Sequence, residues 1–538
     1  MKKSLRVLAL TMAVTLTVSL GLAGCGGQAP SNTDQPSSGA SATPDANDNS
    51  ELHIAVNAVP ETFDLTNTTA TIGSTIALGS IYECLVALGA DYSIVPELAQ
   101  SFTISDDATE YVYTLRQGVL FHNGQEMKAA DVVASMNRWI EAFGTAKTMI
   151  GEARFEADGD YAVKLKMDHP LLYLNELITT AAQRPIIVPK SVIDSGNPTT
   201  GIIKDYIGTG PYKFTEWAAD RYVLFTRNEN YAPYGTEGQV NGWSGYKVAA
   251  TAKVYYDIVP DDSTRVAGIQ SGEYDIAYNM PVDNYDLFNG KDDYTVYNQL
   301  DGDLVMIYNK QEGLGANAKF RQAVNAALNA DDILLAAYAN PDFFKSGSSY
   351  MPVAESDWYT EEGAAFYNQN SAEASKALQT EAGYNGETFR LLVSSDYSDF
   401  YNAAVVIKQQ LESAGIKTEL VVTDWATYLN YSKDPTQFDA FITSFSVKAV
   451  PTLILYLSAT WNGWATDPVI VDALANINTA TDKAQAVEIW KMLQKYCWEE
   501  GMPVSKIGNK YVYSVAGSHV KNLIYFQGPH AWNVVADN

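Results

Sequence analysis

The composition of the chain breaks abruptly at residue 51, and this break decides how much of it can fold and into what. From Gly26 to Ser50 the segment GGQAPSNTDQPSSGASATPDANDNS holds no aromatic and no large aliphatic residue. Such a stretch buries too little apolar surface to offset the entropy of ordering it, so it predicts a flexible tether spanning roughly 25–30 Å. Folding is predicted to begin at the strand-like Leu52-His53-Ile54-Ala55-Val56. The remainder of the chain, to Asn538, is too long for one ordinary core and predicts two or more lobes.

Ahead of the tether, Lys2, Lys3 and Arg6 precede an apolar run, Val7 to Leu20, broken only by Thr and Ser. The run is too short and ends too abruptly for a stable membrane span, so residues 1–24 read as a secretory signal peptide. Its end, Leu22-Ala23-Gly24-Cys25, resembles the bacterial lipobox. That resemblance implies that Cys25 becomes the first mature residue and carries a diacylglyceryl group, whose two acyl chains hold a protein stably to a bilayer. Residues 25–50 would then be the lipidated cysteine and its tether, and the body would be extracytoplasmic and anchored to the cell membrane.

Acidic residues number 63 against 36 basic ones, for a formal net charge of −27. Phosphate backbones repel such a polyanion and no basic aromatic patch offsets it, which excludes nucleic acid as a partner. With 34 Tyr and 10 Trp the chain is rich in ring surface for packing or stacking. Once Cys25 is lipidated only Cys84 and Cys497 remain, and they read as two separate buried thiols rather than a disulfide. No phosphate-binding Gly-Lys-Ser/Thr loop, GxSxG elbow, HExxH or CxxC is present, and the five histidines are never spaced i, i+4. The acidic pairs Asp106-Asp107, Asp261-Asp262 and Asp331-Asp332 stand beside turn or helix-start signals and read as solvated turns or caps. The chain is therefore read as a non-enzyme with no cofactor and no metal site.

Periodicity predicts alternating strands and helices. Tyr111 to Leu115 alternates like a strand, and Lys128-Ala129-Ala130-Asp131 opens an amphipathic helix through Trp139. Asn317 to Ala339 reads as two helices broken near Asn329-Ala330-Asp331-Asp332, with the aspartates making the new N-terminus. Ala403 to Ala414 is a helix closed by Gly415 and followed by the strand Lys417 to Val422. Ala484 to Trp498 carries an apolar face of Val487, Trp490, Leu493 and Cys497. Arg116, Asp131 and Arg321 sit in apolar or helical settings, where a buried charge needs a partner. This is an α/β pattern in more than one lobe.

Six blocks then occur in register: IYECLV (Ile81–Val86), PELAQSF (Pro96–Phe102), YTLRQGVLFHNGQEMKAADVV (Tyr113–Val133), GTGPYKFTEW (Gly208–Trp217), STRVAGIQSGEYDIA (Ser263–Ala277) and KFRQAVNAALNADDIL (Lys319–Leu334). Together they resemble the family 5 extracellular solute-binding proteins, the dipeptide-, oligopeptide- and nickel-binding components of ABC importers. The resemblance implies a two-lobed clamp of the type II periplasmic-binding-protein class, with ligand enclosed between lobes. It places lobe I at 51–297 plus 509–538 and lobe II at 298–508, with Tyr294–Val305 and Ile507–Val515 as hinge crossings. It further implies a monomer that binds a peptide or other small molecule and meets importer permease subunits with their ATPases. A nickel or metallophore carrier, or a carrier of a non-peptide anionic solute, is the alternative.

Peptide binders of that family pair an aspartate, near a DP-type turn of the second lobe, with the α-ammonium group of the ligand. The matching stretch here is FITSFSVKAVPTLILYLSATWNGWATDP (Phe441–Pro468), and around its proline the only charge is Lys448. A lysine favours a carboxylate or phosphate over an ammonium group. The departure is compatible with a reversed, acidic or modified peptide, with a non-peptide anion, or with a solvated loop lysine. The family places the IYECLV block beside the cleft, so Tyr82 and Glu83 are further wall residues, Glu83 being an alternative partner for an ammonium group. Trp425, Phe445, Tyr456, Trp461 and Trp464 complete the expected wall, with Trp461 and Trp464 either stacking on ligand or packing in the core.

Overall fold

The computed structural model describes residues 49–180, 183–354 and 357–537. The signal segment, Cys25 and nearly all of the tether therefore lie outside the described residues. The body begins with the strand Glu51–Val56, whose apolar residues are almost fully buried. It pairs in parallel with Lys253–Ile258 on one side and Ile276–Ala277 on the other, the central position that suits a near-continuous apolar run.

That strand belongs to an 11-stranded sheet. From the N-terminal half come Tyr212–Ala218, Tyr222–Arg227, Lys253–Ile258, Glu51–Val56 and Ile276–Ala277; from the C-terminal half come Ala440–Ser446, Phe389–Ser394, Thr418–Thr423 and the short Phe344–Lys345. Two long strands, Tyr294–Tyr308 and Val504–Gly517, join the two sets. They run antiparallel from Tyr294 opposite Gly517 to Ile307 opposite Val504, with register shifts at Leu300/Gly302 and Leu304/Val305. At about 3.3 Å per residue each is roughly 45–50 Å long, enough to pass from one set of strands to the other. Both expected crossing segments fall inside these strands. Gly302 sits at the first irregularity, where a Cβ would come within 2.0 Å of the Phe445 carbonyl oxygen. Only glycine lets the two backbones approach this closely.

Three apolar cores form. One lines the N-terminal part of the sheet with Leu52, Ile54, Tyr82, Tyr212, Phe225 and Trp532, and another fills the C-terminal half around Leu304, Leu391, Ile442, Trp490 and Trp498. The third lies inside the N-terminal half, between the four-stranded sheet of residues 99–166 and the helix Ala129–Ala142. Sequence periodicity does not separate this core from the rest of the N-terminal half. It exists because Val132, Met136, Trp139 and Ile140 make one fully buried helix face, enough to close a small sheet on its own.

The three charges expected in apolar or helical settings, Asp131, Arg321 and Arg116, find backbone partners rather than countercharges. Asp131 accepts from the amides of Lys128 at 3.0 Å and Lys190 at 2.8 Å. Arg321 donates to the carbonyls of Met502, Gly315, Ala316 and Gly501 at 2.6–3.0 Å. Arg116 donates to the carbonyls of Glu97, Ala232 and Pro233. The helix pair appears as Ala318–Ala326 and Ala330–Tyr338, but Asn329 makes the second N-cap, accepting from Asp331 and Asp332 N–H. The aspartates occupy the first turn, where the helix dipole favours them. Two further helices begin ahead of their expected positions, at Ser398–Ser413 and Lys483–Tyr496. Cys84 and Cys497 are free and buried. Among the described residues no helix is long and apolar enough to cross a membrane.

Candidate functional site

Where the long strands pass between the halves, both halves contribute walls to a cavity of about 140 Å³. Thr75, Arg184, Trp243 and Tyr278 face it from the N-terminal half, Gln299 to Asp301 from the crossing strand, and Ser446 to Ala449 from the C-terminal half. A smaller cavity of about 30 Å³ adjoins it, sharing Ser446, Val447 and Lys448 and reaching Asp303, Phe445, Tyr456 and Lys506.

Local chemistry explains how Lys448 and Arg184 arrive there. The strand Ala440–Ser446 ends at Ser446, and Pro451 opens the 3-10 turn Pro451–Leu453, so residues 447–450 form a short connecting loop. Lys448 is half-buried on that loop, and its Nζ donates to Ser446 Oγ at 3.3 Å. Burial lowers its pKa, and Arg184 lowers it further, while Asp303 opposes the shift. Arg184 comes after the helix Leu174–Thr180 and is pinned by its amide, which donates to the Leu65 carbonyl at 2.8 Å. Its Nη1 donates to the Thr179 carbonyl, but its Nε is buried with no partner among the described residues. Burial also depresses the Arg184 pKa, and no described carboxylate is in ion-pair contact to offset this.

In the smaller cavity, Asp303 of one crossing strand accepts from the Tyr456 hydroxyl at 3.1 Å through Oδ2. Its Oδ1 is buried without a partner among the described residues. Burial raises the Asp303 pKa, against the fields of Lys506 and Lys448. Lys506, on the other crossing strand, donates to the Ser349 carbonyl and is lowered to about 8, chiefly by burial. The site thus holds ammonium and guanidinium groups beside one carboxylate with spare acceptor capacity, in surroundings of low dielectric where each such interaction is strengthened.

Of the residues expected in the wall, Phe445, Lys448 and Tyr456 line the smaller cavity, and Lys448 lines both. The other five line neither. Tyr82 is fully buried in the N-terminal sheet core. Glu83 is 1% exposed and accepts from Thr209 Oγ1 and the Tyr231 hydroxyl, each at 2.9 Å, and from Lys247 Nζ at 3.3 Å. Lys247 also donates to Glu97 at 2.6 Å, so Glu83 belongs to a buried scaffold network with no room for a ligand ammonium. Trp425 stacks on Tyr428 at 4.8 Å and meets the edge of Tyr397. Trp461 packs behind Phe445 and against Phe441, and Trp464 stacks on Phe438. These three rings are taken up by aromatic packing.

Arg184, Asp303, Lys506, Tyr278 and Trp243 were missed. Only Asp303 carried a signal, being a carboxylate inside a long apolar strand; the others lie in segments with no local pattern that marks a site.

The model of the bacterial extracellular solute-binding proteins, family 5, matches residues 93–464. A probable peptide ABC transporter periplasmic-binding protein of Sinorhizobium fredii is 28% identical over 490 residues, covering 88% of this chain and 91% of the relative. Among solved structures, the binding protein AgaA of A. tumefaciens R10, in complex with agropinic acid, aligns with a TM-score of 0.72 at 22% identity over 91% of this chain and 99% of that one. A dipeptide-binding protein of Pseudoalteromonas sp. SM9913, in complex with Met-Leu, aligns at 0.72 and 19% identity over 90% and 100%. The fold is thus the α/β, two-lobed clamp of these binding proteins.

Proposed function

This chain belongs to the bacterial extracellular solute-binding proteins, family 5, and from that premise we propose that it captures a peptide or related small solute and delivers it to an ABC importer's permease. The family supplies substrate-binding components of ABC importers rather than enzymes. The observation that carries the reading is the cavity of about 140 Å³ walled by both halves and by a strand that crosses between them. A ligand touching both walls binds the closed arrangement better than the open one and shifts the population toward it. The permease would recognise that closed form.

In this reading lobe I comprises 51–297 plus 509–538 and lobe II comprises 298–508. Phe445 and Tyr456 supply apolar and ring surface, Lys448 meets an anionic ligand group, and the free oxygen of Asp303 accepts from a ligand donor. Proteins of the same fold have been solved with agropinic acid, with a nonapeptide and with the dipeptide Met-Leu, a range compatible with a peptide or related small solute. Cys25 carries the lipid, residues 26–50 the tether, and the protein works as a monomer. The test is mass spectrometry of the molecule released when the purified protein is denatured, followed by calorimetric titration of that molecule. Recovery of a peptide that rebinds is expected. A metal chelate as the only ligand would overturn the peptide assignment, and turnover of the compound would overturn the assignment as a binder.

A further inference from the structure

We propose that Arg184 and Lys448 form a two-cation clip, one residue from each half of the chain, that takes a single ligand carboxylate and makes it the contact holding the halves together. The inference rests on the reading of the larger cavity as the ligand site, and it names the chemistry that site selects.

Both side chains line the same cavity. Arg184 has a buried, unpartnered Nε and, among the described residues, only a backbone carbonyl on its other donors. Among the described residues Lys448 donates only to a serine hydroxyl, at 3.3 Å. Among the described residues neither nearby acid is in ion-pair contact with these two cations, although the field of Asp303 acts on Lys448. Asp301, on the cavity wall, pairs with Lys510 at 3.5 Å, and Asp303 accepts from Tyr456. Two cations facing one cavity repel each other and lose part of their hydration, a cost the fold would shed if either were neutral. Their placement is not a product of composition, because the chain carries a net charge of −27.

A carboxylate resolves this arrangement. The planar fork of Arg184 and the point charge of Lys448 match its two oxygens, and each bond gains from the charge on both partners. Because the cations belong to different halves, the same anion removes their repulsion and bridges the walls. The carboxylate can be the C-terminus of a peptide or an acidic side chain.

The test uses the mature chain as wild type, Arg184→Gln, Lys448→Met and the charge-preserving Arg184→Lys. Calorimetry compares the tripeptide Ala-Leu-Ala as the free acid, as its C-terminal amide, and as the amide with Glu replacing Leu. Separately, melting temperature is followed during titration with sodium succinate against sodium chloride at equal ionic strength. Wild type is expected to prefer the free acid or the Glu amide over the plain amide by roughly ten- to a hundredfold. That preference should fall to about twofold or less in Arg184→Gln and in Lys448→Met, and Arg184→Lys should recover part of it. Which acid is preferred tells the C-terminal from the side-chain source. Succinate should raise the melting temperature of wild type and leave both neutralised variants unmoved, while a wild-type circular dichroism spectrum and a cooperative melt without ligand show that the variants are folded. An acid-over-amide preference that survives both substitutions overturns the clip and leaves the binding-protein reading standing. A succinate response lost in both variants, with no tripeptide bound, supports the clip and overturns the peptide assignment. No succinate response in wild type overturns the clip.

Discussion

Replacing Lys247 by Met should strand two buried carboxylates and convert the stability of the protein into a steep function of pH. Lys247 is 1% exposed and its Nζ lies 2.6 Å from Glu97 and 3.3 Å from Glu83, themselves 3% and 1% exposed. Burial already raises the Glu97 pKa to about 7, with Lys247 pulling the other way. Removing one partner of a buried ion pair costs roughly 3–5 kcal/mol, because the remaining charge is left without compensation. Linkage sets the sign with pH. A carboxylate whose folded pKa exceeds its unfolded one binds a proton more readily in the fold, so its penalty is absent below the unfolded pKa and grows as pH rises through the folded one. The Lys247→Met penalty should therefore be small near pH ~4 and reach its full size only above pH ~8. Urea denaturation followed by tryptophan fluorescence at these two pH values measures it. Adding Glu83→Gln and Glu97→Gln should return at least half of the loss at high pH, since amides keep several of the hydrogen bonds without the charge. Ligand affinity per folded molecule should stay within about twofold, because the network supports the scaffold rather than the cavity. A penalty below ~1 kcal/mol at high pH, an equal penalty at both pH values, or a triple variant no better than the single one would refute the reasoning.

Gly302→Ala forces a methyl group against the Phe445 carbonyl, so it should cost roughly 1–3 kcal/mol in urea denaturation and weaken ligand binding by disturbing the smaller cavity, which Gly302 lines. Affinity and stability equal to wild type would show that the strands can separate there without consequence. Saturating ligand should reduce the radius of gyration in small-angle scattering; an unchanged radius with independently confirmed binding would sink the clamp for this chain. Cys25→Ser should appear in the culture medium rather than the membrane fraction, and membrane retention of that variant would count against the lipid tether.

What the sequence determined by itself was set by short-range signals. The apolar run of Leu52–Val56 became a central parallel strand, and the helical face of Trp490, Leu493 and Cys497 became core, because period and burial are fixed by neighbours a few residues apart. The extended Tyr- and Val-rich segments at 294–305 and 507–515 proved to be parts of two strands paired along nearly their whole length, which no local signal could register. Capping by Asn329 rather than by the aspartates after it was likewise settled by backbone geometry at the helix start. The site was decided almost entirely by tertiary structure. Lys448 was legible as a charge opposite to the one the family resemblance implies at that turn, yet Arg184, which lines the same cavity, lies far away in sequence, in a segment with no marking pattern. Glu83 showed the reverse failure: a carboxylate in a block expected beside the cleft was claimed by Thr209, Tyr231 and Lys247 once the chain closed around it. A buried charge takes whichever partner folding brings to it, and that partner is a property of the packed chain rather than of the residue's neighbours in sequence.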